Sequence, residues 1–71
     1  MITAKEFKSP YYNLKVLIDK KNLTQAKIAD EIGMDRSTFN LKINRSKGRD
    51  FTFEEAIKIS VILNEKIDHF F

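Results

Sequence analysis

Two short apolar-periodic runs, with only Gly33-Met34-Asp35 between them, constrain this chain more than any other feature. The first run buries Ile28, Ala29 and Ile32 at helical spacing, and the second buries Phe39 and Ile43, four apart. Helices joined by three residues must cross steeply. That geometry asks for a small residue where the second helix passes, for a positive φ in the turn and for an apolar anchor pointing back. Ala29, Gly33 and Phe39 are placed to meet these three demands, with support from Ile28, Ile32 and Met34.

The rest of the chain reads as helical as well, since no segment alternates like a half-buried strand. Ser9 before Pro10 predicts an N-cap and first-turn proline, opening a helix over 10–21 that buries Tyr11, Leu14, Leu17 and Ile18. Adjacent Tyr11 and Tyr12 cannot both face inward. Asn22 is placed as a left-handed terminator, and Thr24 caps the helix over 25–32. Asp35 caps a third over 36–44. Thr52-Phe53-Glu54-Glu55 is a capping box, with Phe51 set to staple onto Ala56. It opens a fourth helix over 53–63, expected to bury Phe53, Ala56, Ile57, Ile59, Ser60 and Leu63 before stopping at Asn64. One further turn or two can form over 65–71. The expectation is one all-α domain over 1–71, a compact bundle of about five short helices, with residues 1–9 as an extended arm.

Composition narrows the function. Seventy-one residues form a core near the lower size limit, since a chain this short buries only about 60% of its unfolded surface. With no cysteine and one histidine, His69, there is neither a disulfide framework nor a ligand set for a usual zinc site. No cofactor is expected. Asp30/Glu31 and Glu54/Glu55 are adjacent carboxylates that point about 100° apart on a helix and share no substrate, so no enzyme is expected either. No apolar run approaches the length of a membrane span, and Met1–Ser9 lacks a signal peptide's apolar stretch, so the expected location is the cytoplasm. The net charge of +3 is indecisive, but its distribution is not. From Arg36 to Arg49 there are five positive side chains and no acid, whereas residues 50–71 are net negative. A localised basic block suits a polyanion.

The stretch from about 25 to 44 is the helix-turn-helix arrangement, whose second helix stands free to enter a major groove. Leu23-Thr24-Gln25, Ile28-Ala29, Ile32-Gly33-Met34, Arg36-Ser37-Thr38-Phe39, Asn44 and Ala56-Ile57-Lys58-Ile59-Ser60…Leu63 resemble the lambda-repressor/Cro-like (XRE-type) helix-turn-helix family. Ile67-Asp68-His69-Phe70-Phe71 looks like the short fifth helix of many members. The run Phe39-Asn40-Leu41-Lys42-Ile43-Asn44 looks most like the small Cro-type repressors of temperate phages of low-GC bacteria.

The resemblance implies a repressor that binds a palindromic double-stranded DNA operator as a dimer, in a bacterial host cell and in association with its nucleoid. Arg36, Ser37, Asn40 and Leu41 would meet base edges, Arg36 as a bidentate donor to guanine and Leu41 against a thymine methyl. Gln25, Lys42, Asn44, Arg45, Lys47 and Arg49 would hold phosphates. Lys42 stands where the family usually has an apolar residue, and would run along the core edge and send its ammonium to a phosphate. Arg49 has Asp50 beside it as a competing partner. Apolar residues in excess of what a small core absorbs, Val61, Ile67, Phe70 and Phe71, would form the dimer contact. The alternative is a protein-interaction module on the same fold, an antitoxin, antirepressor or host-takeover factor, favoured by the outward Leu41 and the modest net charge.

Overall fold

The computed structural model describes residues 9–71, and its regular structure there is wholly helical. Four α-helices follow in order: α1 (Tyr12–Lys20), α2 (Gln25–Glu31), α3 (Arg36–Ile43) and α4 (Phe53–Leu63). A 3-10 turn, Ser46–Gly48, interrupts the connection from α3 to α4, and a second, Ile67–His69, lies where a fifth helix was expected. The arm predicted over 1–9 lies, apart from Ser9, outside the described residues.

Local chemistry sets most helix ends. The Thr24 hydroxyl accepts the Lys27 N–H at 3.1 Å, and the Asp35 carboxylate accepts the Thr38 N–H at 3.3 Å. At α4 the capping box is complete: Thr52 Oγ1 accepts from the Glu55 N–H at 3.1 Å, and Glu55 Oε1 accepts from the Thr52 N–H at 2.8 Å. Each such cap is worth roughly 1 kcal/mol. The C-termini of α1, α2 and α4 close in the same way. Asn22, Gly33 and Asn64 take φ of 57°, 72° and 53°. The following residue then donates back across the last turn: Leu23 to Ile18 O (3.0 Å), Met34 to Ala29 O (2.8 Å) and Glu65 to Ser60 O (3.1 Å). These are Schellman closures, which satisfy carbonyls the helix leaves orphaned.

Helix α1 starts two residues later than predicted. Tyr11 donates its N–H to Ile43 O at 2.8 Å and takes a non-helical ψ of 75°, so its backbone joins α1 to the end of α3. That tertiary bond displaces the expected Ser9 cap.

The core gathers Tyr11, Leu14 and Ile18 of the first segment, Ile28 and Ala29 of α2, and Phe39 and Ile43 of α3. Phe51, Ala56, Ile59, Leu63 and Phe70 complete it. Phe39 is fully buried and meets Phe51 edge-on at 5.2 Å between centroids, and Phe51 in turn lies 5.6 Å from Tyr11. Tyr12 faces outward. Two residues expected inside are outside: Phe53 is 62% exposed and Ile57 43%. Helix α4 buries the narrow stripe Ala56, Ile59 and Leu63, and at 3.6 residues per turn Phe53 and Ile57 lie roughly 100° around from it. Both residues fit helical periodicity, but α4 is packed on one side only.

Candidate nucleic-acid interface

Helices α2 and α3 pack directly on one another, joined through Ile32–Asp35. With Phe39 and Ile43 turned into the core, Arg36, Asn40 and Ser37 form an exposed strip along one flank of α3, and Leu41, next to that strip, is half-buried. Gln25, the first residue of α2, is also half-buried.

The positive side chains are not equivalent. Arg36 donates Nε–H to Asp30 Oδ1 at 3.2 Å and Nη2–H to Asp30 Oδ2 at 2.7 Å. This hydrogen bond holds the Asp30 carboxyl below its ordinary range. Lys42 follows the core edge as expected, but its ammonium meets both carboxylate oxygens of Glu55 at 2.9 Å and its side chain is only 15% exposed. Burial alone would raise the Glu55 pKa; the Thr52 N–H and Lys42 outweigh it and hold the carboxyl low. A cation so enclosed is an α3–α4 tie, and the phosphate role expected of Lys42 is corrected accordingly.

Among the described residues Arg45, not Arg49, forms an ion pair with Asp50, at 3.1 Å. Its guanidinium lies 4.7 Å from the Tyr11 ring centroid, within reach of a cation–π contact. The Tyr11 hydroxyl also donates to Asp50. Burial of Asp50 would raise its pKa; hydrogen bonds from Tyr11, the Phe51 N–H and Arg45 reverse the sign. Asn44 is engaged too, accepting from Lys15 Nζ at 2.6 Å and donating to Asn40 O at 2.9 Å. Sequence gave no hint of Lys15, which lies 29 positions away.

Lys47 and Arg49 remain exposed and form no ion pair with another described residue. Lys47 has a left-handed backbone, φ 54°, in the short turn after α3. The Ser37 hydroxyl donates to the Asp35 carboxylate, which lies below its usual pKa through this bond and the Thr38 N–H. The exposed α3 face therefore offers the Arg36 fork and the Asn40 amide, with Lys47 and Arg49, which pair with no acid among the described residues, on the loop beyond.

The apolar excess is real but differently placed. Phe70 is buried in the core, so its ring is not a surface contact, and Ile67 is half-buried. Val61 (74% exposed) and Phe71 (47%) do face outward. Val61 is joined at i, i+4, i+8 spacing by Ile57 and Phe53, and the Phe53 ring lies 6.4 Å from that of Phe71. The amphipathic pattern of α4 contained this stripe, and only the side it buries was ambiguous. Among the described residues no three His, Cys, Asp or Glu side chains group as metal ligands, and no helix is long and apolar enough to cross a membrane. No family model matches the chain, and neither a curated protein nor a solved structure matches it.

Proposed function

We propose that this chain is a sequence-specific binder of double-stranded DNA, a helix-turn-helix regulator of the lambda-repressor/Cro-like type acting on the host nucleoid. The observation that carries the reading is the α2–α3 pair. Its turn is closed by Gly33 at φ 72° and the Met34-to-Ala29 bond, while Arg36, Ser37 and Asn40 form one exposed face ahead of Lys47 and Arg49. In this reading α3 enters the major groove. Arg36 and Asn40 are donors to base edges, Ser37 supports the cap beside them, and Leu41 touches a thymine methyl. Lys47, Arg49 and the Gln25 amide hold phosphates, and Asn44 and Arg45 shape the loop that carries them.

A module this small makes few contacts, so operator-level affinity calls for two copies on half-sites about one helical turn apart. The exposed stripe Phe53, Ile57 and Val61, with Phe71 and the edge of Ile67, is the surface for that pairing.

The same apolar stripe and the three internally paired cations favour a second reading, a module that binds another protein. Salt separates the two. Binding to duplex DNA through Lys47 and Arg49 weakens steeply as salt rises, and Lys47→Ala lowers the log–log slope by about 1. Affinity for duplex DNA that is absent, or flat against salt, refutes the proposal.

A further inference from the structure

Asp30 and Arg36 each sit at the unfavourable end of a helix. Asp30 lies in the last turn of α2, where the dipole is negative, and Arg36 is the first residue of α3, where it is positive. Each finds its compensation in the other, across the turn. Asp35, the adjacent acid in sequence, accepts instead from the Ser37 hydroxyl and the Thr38 N–H through one carboxylate oxygen.

The edge that Asp30 takes is specific. A guanidinium has a side edge, formed by Nε–H and one Nη2–H, and an end edge, formed by the other Nη2–H and Nη1–H. Asp30 binds the side edge with both oxygens, at 3.2 and 2.7 Å. The end edge, two parallel N–H groups, is left without a partner among these bonds. Like the side edge, it is a pair of parallel donors that matches guanine O6 and N7, and it is the edge that Asp30 leaves available for that contact. An exposed, flexible arginine is thus held in one orientation with its recognition fork free. The stability that such an exposed pair adds is small, so its geometric effect is the larger one.

We propose that Asp30 is a specificity-positioning residue, whose carboxylate clamps the side edge of Arg36 and presents its end edge to a guanine. This rests on the DNA-binding reading above. It also carries an opposing consequence: Asp30 places a negative charge near the phosphates, so it lowers affinity for DNA of any sequence while it sharpens the choice among sequences.

The test is selection of bound sites from random duplex DNA by the full chain, by Arg36→Ala, and by Asp30→Ala and Asp30→Asn, with melting temperatures alongside. Wild type is expected to prefer guanine at one half-site position, and Arg36→Ala to lose that preference. Asp30→Ala reduces the preference about fivefold or more at that position only, and raises affinity for random-sequence DNA. Asp30→Asn, which keeps the shape and one acceptor, falls between them and serves if alanine loosens the turn. Asp30 variants that melt lower but select the wild-type guanine overturn the inference and leave the DNA reading standing. A wild-type chain that selects no site, or an Arg36→Ala variant with unchanged selection, refutes the DNA reading or its register, and the inference falls with it.

Discussion

Replacement of Gly33 isolates the backbone cost of the turn between α2 and α3. Gly33 has φ 72°, and a Cβ built there meets no atom within 4 Å, so any penalty comes from conformation rather than collision. A left-handed alanine costs roughly 1–2 kcal/mol, and the lower entropy of its unfolded state returns about 0.5–1 kcal/mol. The net expectation for Gly33→Ala is a loss of about 1 kcal/mol, or about 4–8 °C in Tm for a domain of this size. Valine adds β-branching and loses more. Asparagine tolerates the region, as Asn22 and Asn64 do at the equivalent points of α1 and α4, so Gly33→Asn loses only a few tenths of a kcal/mol. Thermal melts followed by far-ultraviolet circular dichroism give the order glycine, asparagine, alanine, valine. Wild-type melting of Gly33→Val, or equal damage from asparagine and valine, would refute the reasoning.

Three further outcomes follow from the geometry. Lys47→Gly relieves a left-handed lysine worth about 1 kcal/mol and raises Tm in melting experiments, yet weakens DNA binding in fluorescence titrations; a parallel change in both readouts would contradict the assignment. Burial, and then the hydrogen bond to Asp50, push the Tyr11 phenol from 10.0 up to about 12. Its native pKa exceeds the unfolded one, so its contribution is complete below pH 10 and lost as pH rises through 12. Urea unfolding of wild type should therefore fall off more steeply across that interval than that of Tyr11→Phe. Val61→Glu, at a site 74% exposed, leaves the melting of dilute protein within about 0.5 kcal/mol of wild type. It nonetheless reduces dimer in sedimentation on DNA, and an unchanged dimer would remove the α4 stripe from the interface.

Short-range rules announced most helix ends from residue types alone, the Ser9-Pro10 start of α1 excepted. Thr24, Asp35 and the Thr52–Glu55 box cap the predicted helices, Asn22, Gly33 and Asn64 end them, and the 53–63 span of α4 matches residue for residue. Misreadings arose where distant parts of the chain compete. The start of α1 depends on an N–H donated to Ile43, 32 positions on. Two apolar stripes on α4 were both compatible with burial, and only packing selects Ala56, Ile59 and Leu63 over Phe53, Ile57 and Val61. Five cations in an acid-free block looked alike in sequence. Asp30, Glu55 and Asp50, all outside that block, claim Arg36, Lys42 and Arg45 and leave Lys47 and Arg49. The exposed face of α3 was legible because its period is local, whereas the pairing of the charges beside it was not.

The most direct measurement is the set of backbone amide NMR shifts as short duplex DNA is added to the full chain. The account predicts that the largest changes fall on Arg36, Ser37, Asn40 and the Lys47–Arg49 loop, and that they fade as salt is raised. No shifts, or shifts concentrated on Phe53, Ile57 and Val61 with α3 silent, would contradict it.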